Sequence, residues 1–98
     1  KEMKSPDGAT WNADAAAVAL DEWVKQFGDD IDVIISSNDG MGLKMFDNWA
    51  HSNGVPVFGY DANGDCVAAI KDGFCGSISQ RAEVQAYMTL RIIRNCLD

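Results

Sequence analysis

From Asn12 onward, apolar residues recur at three- and four-residue spacing: Ala16, Leu20, Trp23, Val24 and Phe27. That period is one stripe of an amphipathic helix. Asn12 suits its N-cap and Gly28 its C-terminal stop. The pattern then changes. "IDVIIS" at 31–36 is a short β-branched run, which predicts a strand buried on both faces. "DGMGLKMFDNWAHSNG" returns to helical spacing, with Met41, Met45, Phe46 and Trp49 on one face and Asn53-Gly54 closing it. "VPVFGY" predicts a second strand, and Pro56 is tolerable near its start. Residues 63–72 read as a short helix with Val67 and Ile70 inward, ended by Gly73. "CGSISQ" is a third, weaker strand, and "RAEVQAYMTLRIIRNCL" a long last helix.

The element order is α-β-α-β-α-β-α with short connections. That predicts an α/β fold with a parallel sheet and crossover helices, a three-layer α/β/α arrangement of Rossmann-like type. Right-handed crossovers put three helices on one face of the sheet. The last helix has no following strand and is left to cover the other face. Open doubly wound sheets carry about five or six strands. Three strands therefore imply an incomplete domain, with strands missing from one edge.

Composition narrows the function classes. At 98 residues the chain is at most one domain, with no internal repeat, linker or low-complexity segment. It is 47% apolar and 23% charged, the balance of an ordinary globular protein. A net charge of -7, with eight scattered basic residues, argues against nucleic-acid or anionic-membrane partners. No apolar run approaches the roughly 20 residues of a membrane span, and no signal-peptide pattern is present. The chain opens without an initiator Met, as a processed product or a fragment would. Cys66, Cys75 and Cys96 have no zinc spacing and sit in apolar contexts. They read as three small buried hydrophobes, with one disulfide and a spare thiol as the alternative.

Because the predicted strands are parallel, their carboxyl ends share one edge, where open α/β sheets bind ligands. The three exits are Ser36-Ser37-Asn38-Asp39, Tyr60-Asp61 and Ser79-Gln80-Arg81. An amide, a carboxylate and a second amide thus meet at one rim. Asp and Asn are also good helix caps, so each alone has a structural explanation; Gln80 is not a favoured cap. No phosphate loop is present, and a rim carboxylate repels anions. Asp, Asn and Gln together suit a neutral ligand dense in hydroxyls. His51 lies at a helix end, away from the strand exits, and no Cys-His or Ser-His pairing marks a catalytic centre. Asp29, Asp30 and Asp32 form a short acidic cluster, either a solvated loop or a shared cation site. Trp11, in "GATWNA", suits either a staple at the helix start or a flat stacking surface.

With these residues in view, "DVIISSNDGMG", "GVPVFGYDANGDCVAAIKDG" and "GSISQ" together resemble the periplasmic galactose/glucose-binding proteins, which are type I receptor subunits of sugar ABC transporters. The resemblance covers essentially the whole chain. It implies residues 1–98 as part of the C-terminal lobe of a two-lobed receptor that holds a monosaccharide between its lobes. Carried over by position, Asn38 and Asp61 would bond sugar hydroxyls and Trp11 would stack on the pyranose. Gln80 stands where the family has an Asn. Asp32 falls on a carboxylate that helps to hold a structural calcium in the full-length proteins, whose calcium loop is not in this chain. No other cofactor is implied, and no enzymatic activity.

The resemblance further implies an extracytoplasmic location, in a periplasm or as a cell-surface lipoprotein. The partners would be a monosaccharide such as galactose or glucose, an ABC transporter permease and a chemoreceptor. Half of the sugar site would belong to the other lobe. The main alternative is the sugar-sensing effector domain of a LacI-type transcriptional repressor, which shares the fold. A small flavodoxin-like enzyme would need a phosphate loop or an acid-base pair, and neither is visible.

Overall fold

The computed structural model describes residues 11–98. Asn12 starts the first element as the spacing predicts: its Oδ1 accepts from the backbone amides of Asp14 and Ala15, at 2.9 and 3.0 Å. These bonds satisfy two of the donors that a helix start leaves open. Helix α1 (Ala13–Phe27) follows, ending at Gly28, and a single 3-10 turn (Gly28–Asp30) leads to β1 (Ile34–Ile35). Helix α2 (Asp39–Met45) runs through a π-helical turn (Phe46–Ala50) into α3 (His51–Asn53). Strand β2 (Val57–Asp61), helix α4 (Gly64–Ala69), a 3-10 turn (Ile70–Asp72), strand β3 (Gly76–Ser79) and helix α5 (Ala82–Leu97) complete the chain. Gly73 closes the fourth helical segment at φ 107°, a conformation that costs other residues a Cβ clash.

The three strands form one parallel sheet in the order β1-β2-β3. Ile34 pairs with Val57, and Asp61 pairs with Ser79 at the far end. The ladder runs one residue beyond β1, since the Ser36 amide donates to the Phe58 carbonyl at 2.8 Å. Helices α1, α2 and α4 lie on one face, and their apolar stripes close on Ile34 and Val57. Leu20, Met45, Phe46, Val57, Cys66 and Phe74 are at most 3% exposed. This is the α/β class that the element order predicts. Among the described residues, no helix is long and apolar enough to cross a membrane.

Several expectations need correction. Strand β1 is not buried on both faces: Ile34 faces the helices, whereas Ile35 is 81% exposed. Phe58, Tyr60 and Ile78 are exposed on that same outer face. The last helix does not cover them. No residue of α5 is buried, and Val84, Tyr87, Leu90, Ile93 and Leu97 are all exposed. Only Gln80 and Arg81 separate β3 from α5, with Arg81 left-handed (φ 53°, ψ 48°), and the helix runs clear of the sheet from there. In α4 it is Cys66 that points inward, while Val67 and Ile70 are exposed. Of the three cysteines only Cys66 is buried; Cys75 and Cys96 are exposed, and all three are free thiols.

Candidate ligand-binding site

Topology brings the three strand exits to one edge, and the side chains there are linked. Asp61 ends β2, and its register partner Ser79 ends β3, so Gln80 is the next residue along the rim. The Gln80 amide nitrogen donates to Asp61 Oδ1. Asp61 is half-buried and Gln80 exposed. Asp61 does not cap α4; Asn63 occupies that position, without a side-chain cap bond.

Asn38, on the β1 exit, is the cap of α2. Its Oδ1 caps α2 by accepting from the Met41 amide at 2.8 Å. Its carbonyl is fixed by the Ser36 hydroxyl at 2.8 Å and by the Gly42 amide at 3.1 Å. A side-chain amide held through its oxygen still carries two N–H donors. Asn38 thus offers donors at the rim, beside the acceptor Asp61.

The backbone at the β2 exit is unusual. Asp61 and Ala62 have φ of 119° and 56°. Such values cost non-glycine residues about 1–3 kcal/mol each and persist only where the surroundings enforce them. Here the enforcing groups are Asp39 and Ser77, which the sequence reading did not single out as a pair. The Ala62 amide donates to Ser77 Oγ at 2.9 Å, and the Asn63 amide donates to Asp39 Oδ2 at 2.7 Å. The Ser77 hydroxyl donates in turn to Asp39 Oδ1 at 2.6 Å. Asp39 is 0% exposed, so it is neither a rim group nor a cap. Nothing in a serine on a strand marks it for this role; for Asp39 the signal is only that Asn38 already takes the cap.

Cys66 lies beneath this network. Burial, then hydrogen bonding to Asp39 and the charge of Asp39, push its thiol from the ordinary 9.0 up to about 11. It is a neutral packing group at physiological pH.

Trp11 is 63% exposed with φ 71°, one residue before the α1 cap. The Lys44–Asp14 ion pair at 3.2 Å ties the first turn of α1 to α2. A helix leading into a parallel strand starts at the strands' carboxyl end, so Trp11 lies toward the rim but makes no hydrogen bond with Asn38, Asp61 or Gln80. Asp32 is exposed in the loop before β1, in a polar hollow of about 350 Å³ shared with Asp29, Trp49 and Asn53. Calcium takes six to eight oxygens. Among the described residues no group of three or more His, Cys, Asp or Glu side chains is placed to hold an ion. His51 is exposed and stacks on Phe46, with centroids 4.7 Å apart and planes 10° from parallel.

A second hollow, of about 660 Å³, lies over the bare outer face of the sheet, between Ile35, Phe58, Tyr60 and Ile78. Its walls are apolar and unsuited to a hydroxylated ligand.

Chemically, the rim pairs a carboxylate acceptor with amide donors, and no nucleophile–base pair lies there among the described residues. Such an arrangement can bind hydroxyl groups. The chain is 35% identical over 82 residues to a xylitol-binding protein of Mycolicibacterium smegmatis, covering 81% of this chain and 24% of that protein. It is 38% identical over 69 residues to the D-galactose/methyl-galactoside binding periplasmic protein MglB of Haemophilus influenzae, covering 68% of this chain and 21% of that protein. The chain thus spans less than a quarter of the length of these relatives. Both are named as binding proteins. Residues 1–98 match the family model described as a periplasmic binding protein domain, and the chain belongs to that family.

Proposed function

We propose that this chain is part of the C-terminal lobe of a two-lobed, extracytoplasmic solute receptor that delivers its ligand to an ABC transporter permease. The ligand is a neutral polyhydroxylated molecule, a monosaccharide such as galactose or glucose or a sugar alcohol of similar size. The observation that carries the reading is the Asp61–Gln80 pair, with the Asn38 amide at the neighbouring strand exit. A hydroxyl donates well to a carboxylate and accepts from an amide, and the three exits offer both. A hydrogen bond to a charged partner contributes roughly 1.5–3 kcal/mol, which makes Asp61 the principal anchor.

The protein is non-enzymatic in this reading. Trp11 supplies an apolar platform, in keeping with its exposure, and the second lobe supplies the remaining contacts. Two relatives named for xylitol and for galactose support the ligand class and leave its member open. Calorimetry of the two-lobed protein with galactose, glucose and xylitol tests the proposal. Saturable binding of at least one is expected, and it should weaken sharply in Asp61→Ala. Absence of binding to all three, or preference for an anionic sugar phosphate, would refute it.

A further inference from the structure

We infer that Asp39 is the positioning residue of this site: a carboxylate buried behind the rim that fixes the turn at Asp61 without touching the ligand. The inference rests on the reading of Asp61 as the ligand anchor.

The bonds of Asp39 leave its own helix. It sits in the first turn of α2, where an acidic residue ordinarily serves its own helix. Instead, both of its oxygens are used across the sheet, by Ser77 on β3 and by the Asn63 amide after β2. Through Ser77 it also reaches the Ala62 amide. The two backbone amides that follow Asp61 are therefore tied to a single carboxylate, one directly and one through a hydroxyl. One of those amides lies between the positive-φ residues Asp61 and Ala62, and the other directly follows them. The stretch is also held by the Asp61–Ser79 register, the Gln80 bond to the Asp61 side chain and the Val67 amide on the Asn63 carbonyl, but only Asp39 and Ser77 accept from the amides of the turn itself.

The sequence makes room for this carboxylate. Gly59 on β2 has no side chain, and a Cβ there would collide with Asp39 Oδ1. A glycine inside a strand weakens it, so such a position commonly marks a close approach. Here the approaching group is Asp39. A carboxylate is also the right chemistry, because both partners are donors and a carboxylate is acceptor-only. Asparagine is nearly isosteric but neutral and has one acceptor oxygen: to serve Asn63 and Ser77 together it would have to donate to the Ser77 oxygen, reversing that bond and weakening the hold on Asn63. Charged acceptors also bind backbone amides about twice as strongly as neutral ones. Three strand exits are coupled in this way. Asp39 leaves the β1 exit beside Asn38 and holds the β2 exit at Asp61, and Ser77 joins it to β3, whose exit carries Gln80.

A double-mutant cycle in the two-lobed protein tests the assignment, with galactose, glucose and xylitol as titrants. Asp39→Asn is expected to weaken binding about tenfold or more, the scale seen when a partner behind a binding group is lost. Asp61→Asn should weaken it as well. The double variant should bind no more weakly than Asp61→Asn alone, because Asp39 acts through Asp61. A merely structural role would subtract the same factor in both backgrounds, so additive losses would overturn the assignment, as would unchanged affinity in Asp39→Asn. Amide spectra of the 98-residue chain give a second arm. The Asn63 and Ala62 resonances should both shift in Asp39→Asn, and Ala62 should shift most in Ser77→Ala.

Wild-type affinity in Asp61→Asn would instead sink the ligand role of Asp61, while the amide shifts would still decide whether Asp39 holds the turn. Should Asp39→Asn fail to fold, Ser77→Ala carries the test, since it removes only the relay hydroxyl. An unmoved Ala62 resonance together with unchanged affinity in that variant would overturn the assignment.

Discussion

Gln80, on the β3 exit, donates from its side-chain amide to the Asp61 carboxylate on the β2 exit. Among the described residues, Asp61 Oδ2 and the Gln80 side-chain oxygen carry no other hydrogen bond. Of these two acceptors the charged one binds a hydroxyl more strongly. Asp61→Ala should cost on the order of 1.5–3 kcal/mol for each hydroxyl it holds, roughly 10- to 150-fold in Kd. Gln80→Ala removes a neutral group and should cost roughly 0.5–1.5 kcal/mol, about tenfold at most. Calorimetry on the two-lobed protein ranks them, and a larger loss in Gln80→Ala would contradict the ordering.

Trp11 is 63% exposed just before α1. Stacking a sugar ring there should contribute about 0.5–1.5 kcal/mol, so Trp11→Ala should weaken binding by roughly two- to twelvefold. Ligand should also change the tryptophan emission. The chain has three tryptophans, so Trp11→Phe and Trp49→Phe variants assign the signal. It should vanish in the first and survive in the second. A signal that follows Trp49 instead would count Trp11 as no part of the site.

The parts of the fold that the sequence declares are those with a local cause. Asn12, Gly28, Asn53-Gly54 and Gly73 bound their helices as cap chemistry requires, and the β-branched run near Ile34 finds its strand. Asn38, Asp61 and Gln80 could be brought to one rim because parallel topology supplies their proximity. What stayed hidden depends on other elements. Ile35 reads as buried because its pattern suits a sheet covered twice, yet α5 stands clear of that face. Cys66 rather than Val67 faces inward, which no three- or four-residue spacing within so short a helix could decide. The reach of Asp39 across the sheet depends on the missing side chain of Gly59 and on a serine two strands away. No single segment carries that information.

Phe74 joins the helical layer to the sheet. It is 1% exposed, meets Phe46 edge to face with centroids 5.5 Å apart, and fills the space beside Gly42 and Gly59. Phe→Ala at such a site costs about 3–5 kcal/mol, much of the 5–15 kcal/mol total of a small domain. Phe74→Leu keeps most of the volume and should cost about 1–2 kcal/mol. Urea unfolding followed by circular dichroism should show the midpoints falling in that order. Equal midpoints for wild type and Phe74→Ala would remove Phe74 from the core.

The buried thiol of Cys66 gives the chain a dependence on alkaline pH whose sign is fixed. Its folded value of about 11 lies above the ordinary thiol value of 9.0, so the folded state holds the proton more tightly. Below pH 9 the thiol is neutral in both states, and its contribution is fully present. As pH rises from about 9 to 11 the unfolded chain ionises first, and stability falls by up to about 2–3 kcal/mol. Above that range both states are ionised and the dependence ends. Other groups titrate in the same window, so the readout is a difference. Unfolding free energies of wild type and Cys66→Ala, measured by urea titration at pH 8 and pH 10.5, should diverge only in slope: wild type should lose the additional amount, and Cys66→Ala should not. Parallel losses in the two proteins would mean that Cys66 ionises as readily folded as unfolded, and that its place beneath Asp39 does not protect the proton.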